Sequence, residues 1–212
     1  MSRTIAVIDY GMGNLRSVSK AVEHVADPGD RVLVTDDPGQ ILAADRVLFP
    51  GQGAARDCMA AISDHHLNQA VREALESKPF FGICMGLQVL MSHSEENGGT
   101  DLLDLIPGQV RRFPEVRDER GRLLKIPQMG WNRVRQRPHP MWRGIPDESR
   151  FYFVHSYYVQ PDDEGLVVGI TDYAVTFASV LARDNLFATQ FHPEKSAAAG
   201  LRLLRNFLDW DI

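Results

Sequence analysis

Pro79-Phe80-Phe81-Gly82-Ile83-Cys84-Met85-Gly86-Leu87-Gln88 decides how this chain is read. The apolar run Pro79–Ile83 has the length and composition of a short buried strand. It ends on a cysteine with glycines two residues before and two residues after. Gly-x-Cys-x-Gly is the thiol form of the nucleophile elbow, a tight strand-to-helix turn that exposes a nucleophile at the sheet edge. Glycines are needed because side chains there would strike the neighbouring strand and helix. A helix starting near Met85 sets its positive end at Cys84, which favours a thiolate. Its free N–H groups suit an oxyanion. Read alone, the pentapeptide also fits a buried structural cysteine.

The second stretch lies far downstream. Asn185-Leu186-Phe187-Ala188-Thr189-Gln190-Phe191 reads as a strand, and His192-Pro193-Glu194 follows its carboxyl end. Residues i and i+2 of an extended segment point the same way. His192 and Glu194 are therefore expected to aim at one point, with Glu194 orienting the imidazole. Pro193 fixes φ and ends the ladder. A cysteine with a distant histidine–carboxylate pair is the constellation for acyl transfer through a thioester. Taken singly, His192 also fits a solvated turn, and Glu194 an acid ahead of a helix over Lys195–Leu208. All three at the ends of apolar strands argue for a site.

Working outward, strands alternate with helices. Thr4–Asp9 reads as a buried strand, and Asn14 or Ser17 could cap a helix through Val25. Asp30–Thr35 and Arg46–Phe49 read as further strands, the latter ending at Pro50-Gly51-Gln52-Gly53. A single helix is expected over Ala55–Ser77. This order predicts an α/β fold with a mainly parallel, flavodoxin-like sheet flanked by helices. Catalytic groups at the carboxyl ends of the strands fit such a sheet. From Gln109 the pattern changes to short strands between turns. Val110–Phe113, Trp131–Val134, Phe151–Val154, Gly165–Ile170, Phe177–Leu181 and Leu186–Phe191 are expected as added antiparallel strands, and Ala197–Leu208 as a last helix. Asp118–Arg122 and Gln136–Asp147 read as loops within one domain spanning 1–212.

Composition excludes more than it identifies. The 212 residues are 44% hydrophobic and 24% charged, ordinary globular values. A net charge of −5 argues against a nucleic-acid partner. The two cysteines, Cys58 and Cys84, give no disulfide framework and suit a reducing cytoplasm. Met1-Ser2-Arg3-Thr4 leads straight into a strand, so no signal peptide is expected. No apolar run approaches the roughly 20 residues that span a bilayer, which argues against a membrane partner. Tyr10-Gly11-Met12-Gly13-Asn14 follows a strand, but Arg16 stands where a dinucleotide fingerprint needs its third glycine. His65, His66, His93, His139 and His155 show no metal-ligand spacing. The motifs call for no cofactor.

Gly-Ile-Cys-Met-Gly-Leu-Gln together with Gln-Phe-His-Pro-Glu-Lys-Ser resembles the class I (triad) glutamine amidotransferases. Asp9–Leu15, Pro127–Asn132 and Phe151–Tyr158 narrow the likeness to the glutaminase subunits of imidazole glycerol phosphate synthases, over essentially the whole chain. The resemblance implies that Cys84, His192 and Glu194 form a catalytic triad that hydrolyses L-glutamine. It implies an oxyanion hole at Gly51-Gln52-Gly53, with the backbone amides of Gln52 and Met85 as donors. The family more often has valine at the position of Gln52. Gln88, an acid at Glu96, and backbone groups of Ser156 and Tyr157 are implied to hold the substrate. Glu95, next to Glu96, is the competing acid. Ammonia is implied to pass to a cyclase subunit, a separate (β/α)8 barrel. There it would yield imidazole glycerol phosphate and aminoimidazole carboxamide ribonucleotide in histidine biosynthesis. Tyr10, Asn14, Trp131, Tyr152 and His155 are candidates for the face that meets this partner, with Tyr157 beside them. Three other readings stay open: an amidotransferase serving another acceptor synthase, a partner-independent γ-glutamyl peptidase, and a non-catalytic regulatory module.

Overall fold

A computed structural model describes residues 2–117 and 120–212. Met1 lies outside the described residues, as do Asp118 and Glu119 of the loop expected over Asp118–Arg122. The first half of the chain forms β1 (Thr4–Ile8), α1 (Leu15–Val25), β2 (Arg31–Thr35), α2 (Pro38–Ala43), β3 (Arg46–Gly51), α3 (Ala55–Asp64), α4 (Asn68–Ser77), β4 (Phe80–Cys84) and the one-turn α5 (Met85–Gln88). The second half adds β5 (His93–Ser94), β6 (Thr100–Asp101), β7 (Gly108–Arg112), β8 (Gln128–Arg133), β9 (Arg135–Gln136), β10 (Arg150–His155), β11 (Tyr157–Pro161), β12 (Val167–Asp172), β13 (Thr176–Arg183), β14 (Leu186–Thr189) and α6 (Ala197–Leu208).

Strands β2, β1, β3, β4 and β14 lie side by side in that order, every pair parallel. The order is the flavodoxin-like one. Each central strand is an unbroken apolar run because both faces are covered. Side chains alternate between the faces. Ile5 and Val7 of β1, Leu48 of β3, and Phe81 and Ile83 of β4 pack with Val18 and Val22 of α1 and with Leu203, Leu204 and Phe207 of α6. Ala6, Ile8, Val47, Phe49 and Phe80 turn the other way, onto Ile41 of α2, Cys58 and Ile62 of α3, and Val71 of α4. Burying one such large apolar side chain contributes roughly 1.5–3 kcal/mol. The sheet continues beyond β14 through antiparallel β13, which also pairs β12 and touches β11, and on through β7. Strands β8 and β10 form a separate antiparallel ribbon.

Several expectations are corrected. The helix expected over Ala55–Ser77 is two helices. His66 takes a left-handed φ of 56°, and the amides of His66 and Leu67 bond back to the carbonyls of Ser63 (2.9 Å) and Ile62 (2.9 Å). That is a Schellman stop without glycine, with Leu67 fully buried behind it. Helix α2 was not expected, although Asp37 caps it by accepting from the amides of Gly39 and Gln40, and Pro38 opens it. Strand β14 is parallel to β4 and only its other edge is antiparallel, so Leu186–Thr189 belongs to the central sheet. The Phe151–Tyr158 segment divides at Ser156, β10 going to the ribbon and β11 to the main sheet. Between the two cap candidates for α1, Asn14 is the cap, its Oδ1 accepting from Ser17 N at 3.3 Å.

Candidate active site

Cys84 is the last residue of β4 and sits at φ 55°, ψ −107°, outside the regions that a cysteine prefers. Such a conformation costs on the order of 1–3 kcal/mol and persists only where its surroundings impose it. Here β3 pairs in register up to Gly51 opposite Cys84. On the helix side, a Cβ at Gly86 would stand 1.7 Å from the carbonyl oxygen of Phe49, so only glycine lets α5 start this close to β3. The elbow thus turns at Cys84 and leaves the thiol against a cavity of about 190 Å³. That size suits an amino acid better than a larger organic ligand. Gln52, Gly53, Met85, Gln88 and Glu96 line the cavity with Cys84, and Val154 and His155 of the ribbon close it together with Ser156 and Tyr157.

His192 arrives from the neighbouring strand. Two residues separate it from the end of β14, whose Thr189 lies opposite Ile83 of β4. Its backbone N–H donates to Tyr152 O at 2.9 Å, and its carbonyl accepts from Ser196 Oγ at 2.6 Å. Ser196 Oγ also accepts from Tyr152 N at 2.9 Å, so the histidine turn is tied to the β8–β10 ribbon. Nδ1 of His192 lies 2.8 Å from Glu194 Oε1. Glu194 meets the imidazole as expected, though not along an extended segment: it lies in a 3₁₀ turn, Pro193–Lys195, and reaches back from there. Nε2 of His192 is buried and has no hydrogen-bond partner among the described residues, which leaves it for a reacting group beside Cys84. Burial alone pushes the imidazole pKa down. Cys84 next to it, and then Glu194, outweigh that and raise it to about 10.

The two neighbouring acids separate cleanly. Glu96 lines the cavity and its Oε2 accepts from Ala55 N at 2.6 Å. That amide opens α3, whose cap position, Ala54, has no side chain able to accept it. Glu95 is exposed, engaged by the Arg111 guanidinium and by Arg112 N at 3.1 Å. Gln52 and Gly53 stand at the mouth, and the Gln52 carbonyl accepts from the Cys58 thiol at 3.6 Å. Burial pushes that thiol up to about 12, so Cys58 is an inert core group.

Two of the expected face residues are placed elsewhere. Tyr10 is 1% exposed, packed on Phe49, and its hydroxyl would lie 2.0 Å from a Cβ at Gly51. It supports the Gly51 backbone from beneath and offers no surface. His155 is 6% exposed, with Nδ1 2.7 Å from Tyr157 O and Nε2 3.1 Å from Gln128 Oε1. Burial drives its pKa down to about 4. Their motifs suggest a surface, and a one-dimensional motif carries no burial. Asn14 is exposed, Trp131 is 51% exposed beside Tyr152, and Met129 on the same ribbon is 66% exposed. The residue missed by the sequence reading is Gln190. It is fully buried, with Nε2 3.8 Å from Cys84 Sγ and Oε1 2.9 Å from Gln88 Nε2. Its signal is a glutamine inside the apolar run Leu186–Phe191, where a buried polar group must find partners.

The family model for class-I glutamine amidotransferases matches residues 6–210. The imidazole glycerol phosphate synthase subunit HisH of Thiobacillus denitrificans is 58% identical, over 100% of this chain and 93% of its own length. The subunit of the same description from Pseudomonas putida is 56% identical, over 99% of this chain and 98% of its own. A solved glutamine amidotransferase superposes with a TM-score of 0.71 at 17% identity, covering 97% of each chain. Another, from Thermotoga maritima, gives 0.62 at 16% identity over 99% of this chain and 84% of the other, a likeness of fold alone. With the matched span, the elbow and the histidine–glutamate pair in hand, the chain belongs to the class-I glutamine amidotransferase family.

Proposed function

We propose that this chain is the glutaminase subunit of an imidazole glycerol phosphate synthase, acting as one domain and passing ammonia to a separate cyclase subunit built as a (β/α)8 barrel. The observation that carries the chemistry is the buried Cys84–His192–Glu194 constellation at the mouth of a small cavity. The acceptor is supported by full-length identity to relatives described as subunits of that synthase.

In this reading, the Cys84 thiolate attacks the side-chain amide carbon of glutamine. Backbone N–H groups of Gln52 and Met85 receive the oxyanion. His192 gives its Nε2 proton to the departing nitrogen, and ammonia leaves a glutamyl thioester. His192 then takes a proton from water, which breaks the C–S bond and releases glutamate. Glu96 faces the substrate ammonium, and Gln88, Ser156 and Tyr157 hold its other polar atoms. Exposed Trp131 and Asn14, with half-buried Tyr152, form the face for the cyclase. The two unpaired cysteines accord with work in the cytoplasm.

Glutamate release tests this in three mixtures: the chain alone, the chain with the cyclase subunit, and both with the ribonucleotide that the cyclase consumes. Strong stimulation in the third is expected. Equal activity in all three, or cleavage of γ-glutamyl peptides by the chain alone, would overturn the assignment.

A further inference from the structure

The mechanism above uses His192 as the neighbour of the Cys84 sulfur, yet a second polar group reaches the same atom. Gln190 Nε2 lies 3.8 Å from Sγ, although the two residues are 106 positions apart in the chain. The direction of this contact follows from what each partner is able to give. Tyr157 O is a backbone carbonyl and only accepts. Gln88, 3.1 Å away, must therefore turn its Nε2 toward it. The same nitrogen lies 2.9 Å from the Gln190 amide, which must present Oε1 in return. The remaining half of the Gln190 amide, the NH2 group, is then the part that faces sulfur. His155 Nδ1, 2.7 Å from the same carbonyl, holds the start of this chain in place.

We propose that Gln190 is a positioning residue for the nucleophile: its amide N–H, oriented through Gln88 by the Tyr157 carbonyl, donates to the Cys84 sulfur and favours the charged thiolate aimed at the cavity. A hydrogen bond to a charged acceptor is worth more than one to a neutral acceptor, so this donor selects the thiolate over the thiol. The chain also commits Gln88. Both hydrogens of its nitrogen are used, so Oε1 is the atom left to meet a ligand, and it meets a donor. Gln190 itself does not line the cavity, so its influence on substrate runs through Cys84 and Gln88.

The inference rests on Cys84 being the nucleophile, and the test separates the two claims. Iodoacetamide alkylation of Cys84 in the full chain is followed by peptide mass spectrometry from acidic to alkaline pH, which counts Cys58 separately. Gln190→Met keeps length and packing but removes the donor, and should move the half-maximal pH up by about one unit. Gln190→Glu places a carboxylate beside the sulfur and should move it further. If burying that charge prevents folding, Gln190→Met alone decides. A role in packing alone would lower the melting temperature and leave the pH profile where it is, which overturns the proposal. A wild-type Cys84 that resists alkylation throughout would overturn the nucleophile assignment, and this proposal with it.

Discussion

Glu194 meets His192 across a turn. Its Oε1 accepts from Nδ1 at 2.8 Å while Pro193 between them opens a 3₁₀ turn. The turn brings the carboxylate back under the ring, where both side chains are almost fully buried. Glu194 contributes to raising the imidazole to about 10, after the effect of Cys84. Replacement by glutamine keeps the shape and removes the charge. Glu194→Gln should lower glutamine turnover by on the order of 10²-fold or more. The alkaline limb of the pH–rate profile, set near the imidazolium pKa, should move to lower pH. Steady-state kinetics across the alkaline range read both effects; an unmoved limb would remove Glu194 from the mechanism.

Gly86 is the tightest point of the elbow. A methyl group there collides with the Phe49 carbonyl, a backbone group that cannot swing aside as a flexible side chain would. Gly86→Ala should destabilise the fold by about 3 kcal/mol. Urea unfolding gives the value, and a change under 1 kcal/mol, read on the scale of ordinary surface substitutions, would contradict the close approach.

Glu96 has two tasks that one substitution separates. Its carboxylate caps α3 through Ala55 N, and the residue also lines the cavity. Glu96→Ala should cost about 1 kcal/mol of stability from the lost cap. Glu96→Gln keeps an acceptor for the amide, so stability should recover while the KM for glutamine stays at least about tenfold raised. Melting curves and initial rates on the two variants distinguish the roles.

His155 predicts a pH dependence of stability. The fold holds it neutral, its pKa driven down to about 4 by burial, with the imidazolium of His192 adding to the effect. The unfolded chain takes up the proton near pH 6.5. Stability from this group is therefore complete above pH 6.5 and is lost as pH falls toward 4, by roughly 3 kcal/mol in total. Urea midpoints of the wild type should fall through that window, and those of His155→Gln should fall less.

The sequence foretold the parts of this structure that depend on local pattern. Buried strands are continuous apolar runs, and the elbow glycines lie two residues either side of Cys84. Those regularities belong to single segments and survive in one dimension. What escaped depends on neighbours. Tyr10 looks like a surface aromatic until β3 is laid over it. The break at His66 carries no glycine or proline to mark it. Strand β14 pairs with β4 across the chain, so its parallel sense cannot be read from its own residues. Gln190 gains its meaning only when Cys84 and Gln88 are brought to it.

The central place of β14 has a consequence for how the protein comes into being. It lies between β4 and β13, yet it comes last in sequence among the described strands. As the polypeptide leaves the ribosome, the elbow at Cys84 emerges long before its base, its carboxylate and its amide donor. Until β14 slots in beside β4, the growing chain carries Cys84 without His192, Glu194 and Gln190. The three groups of the site therefore come together only when the sheet has closed around them.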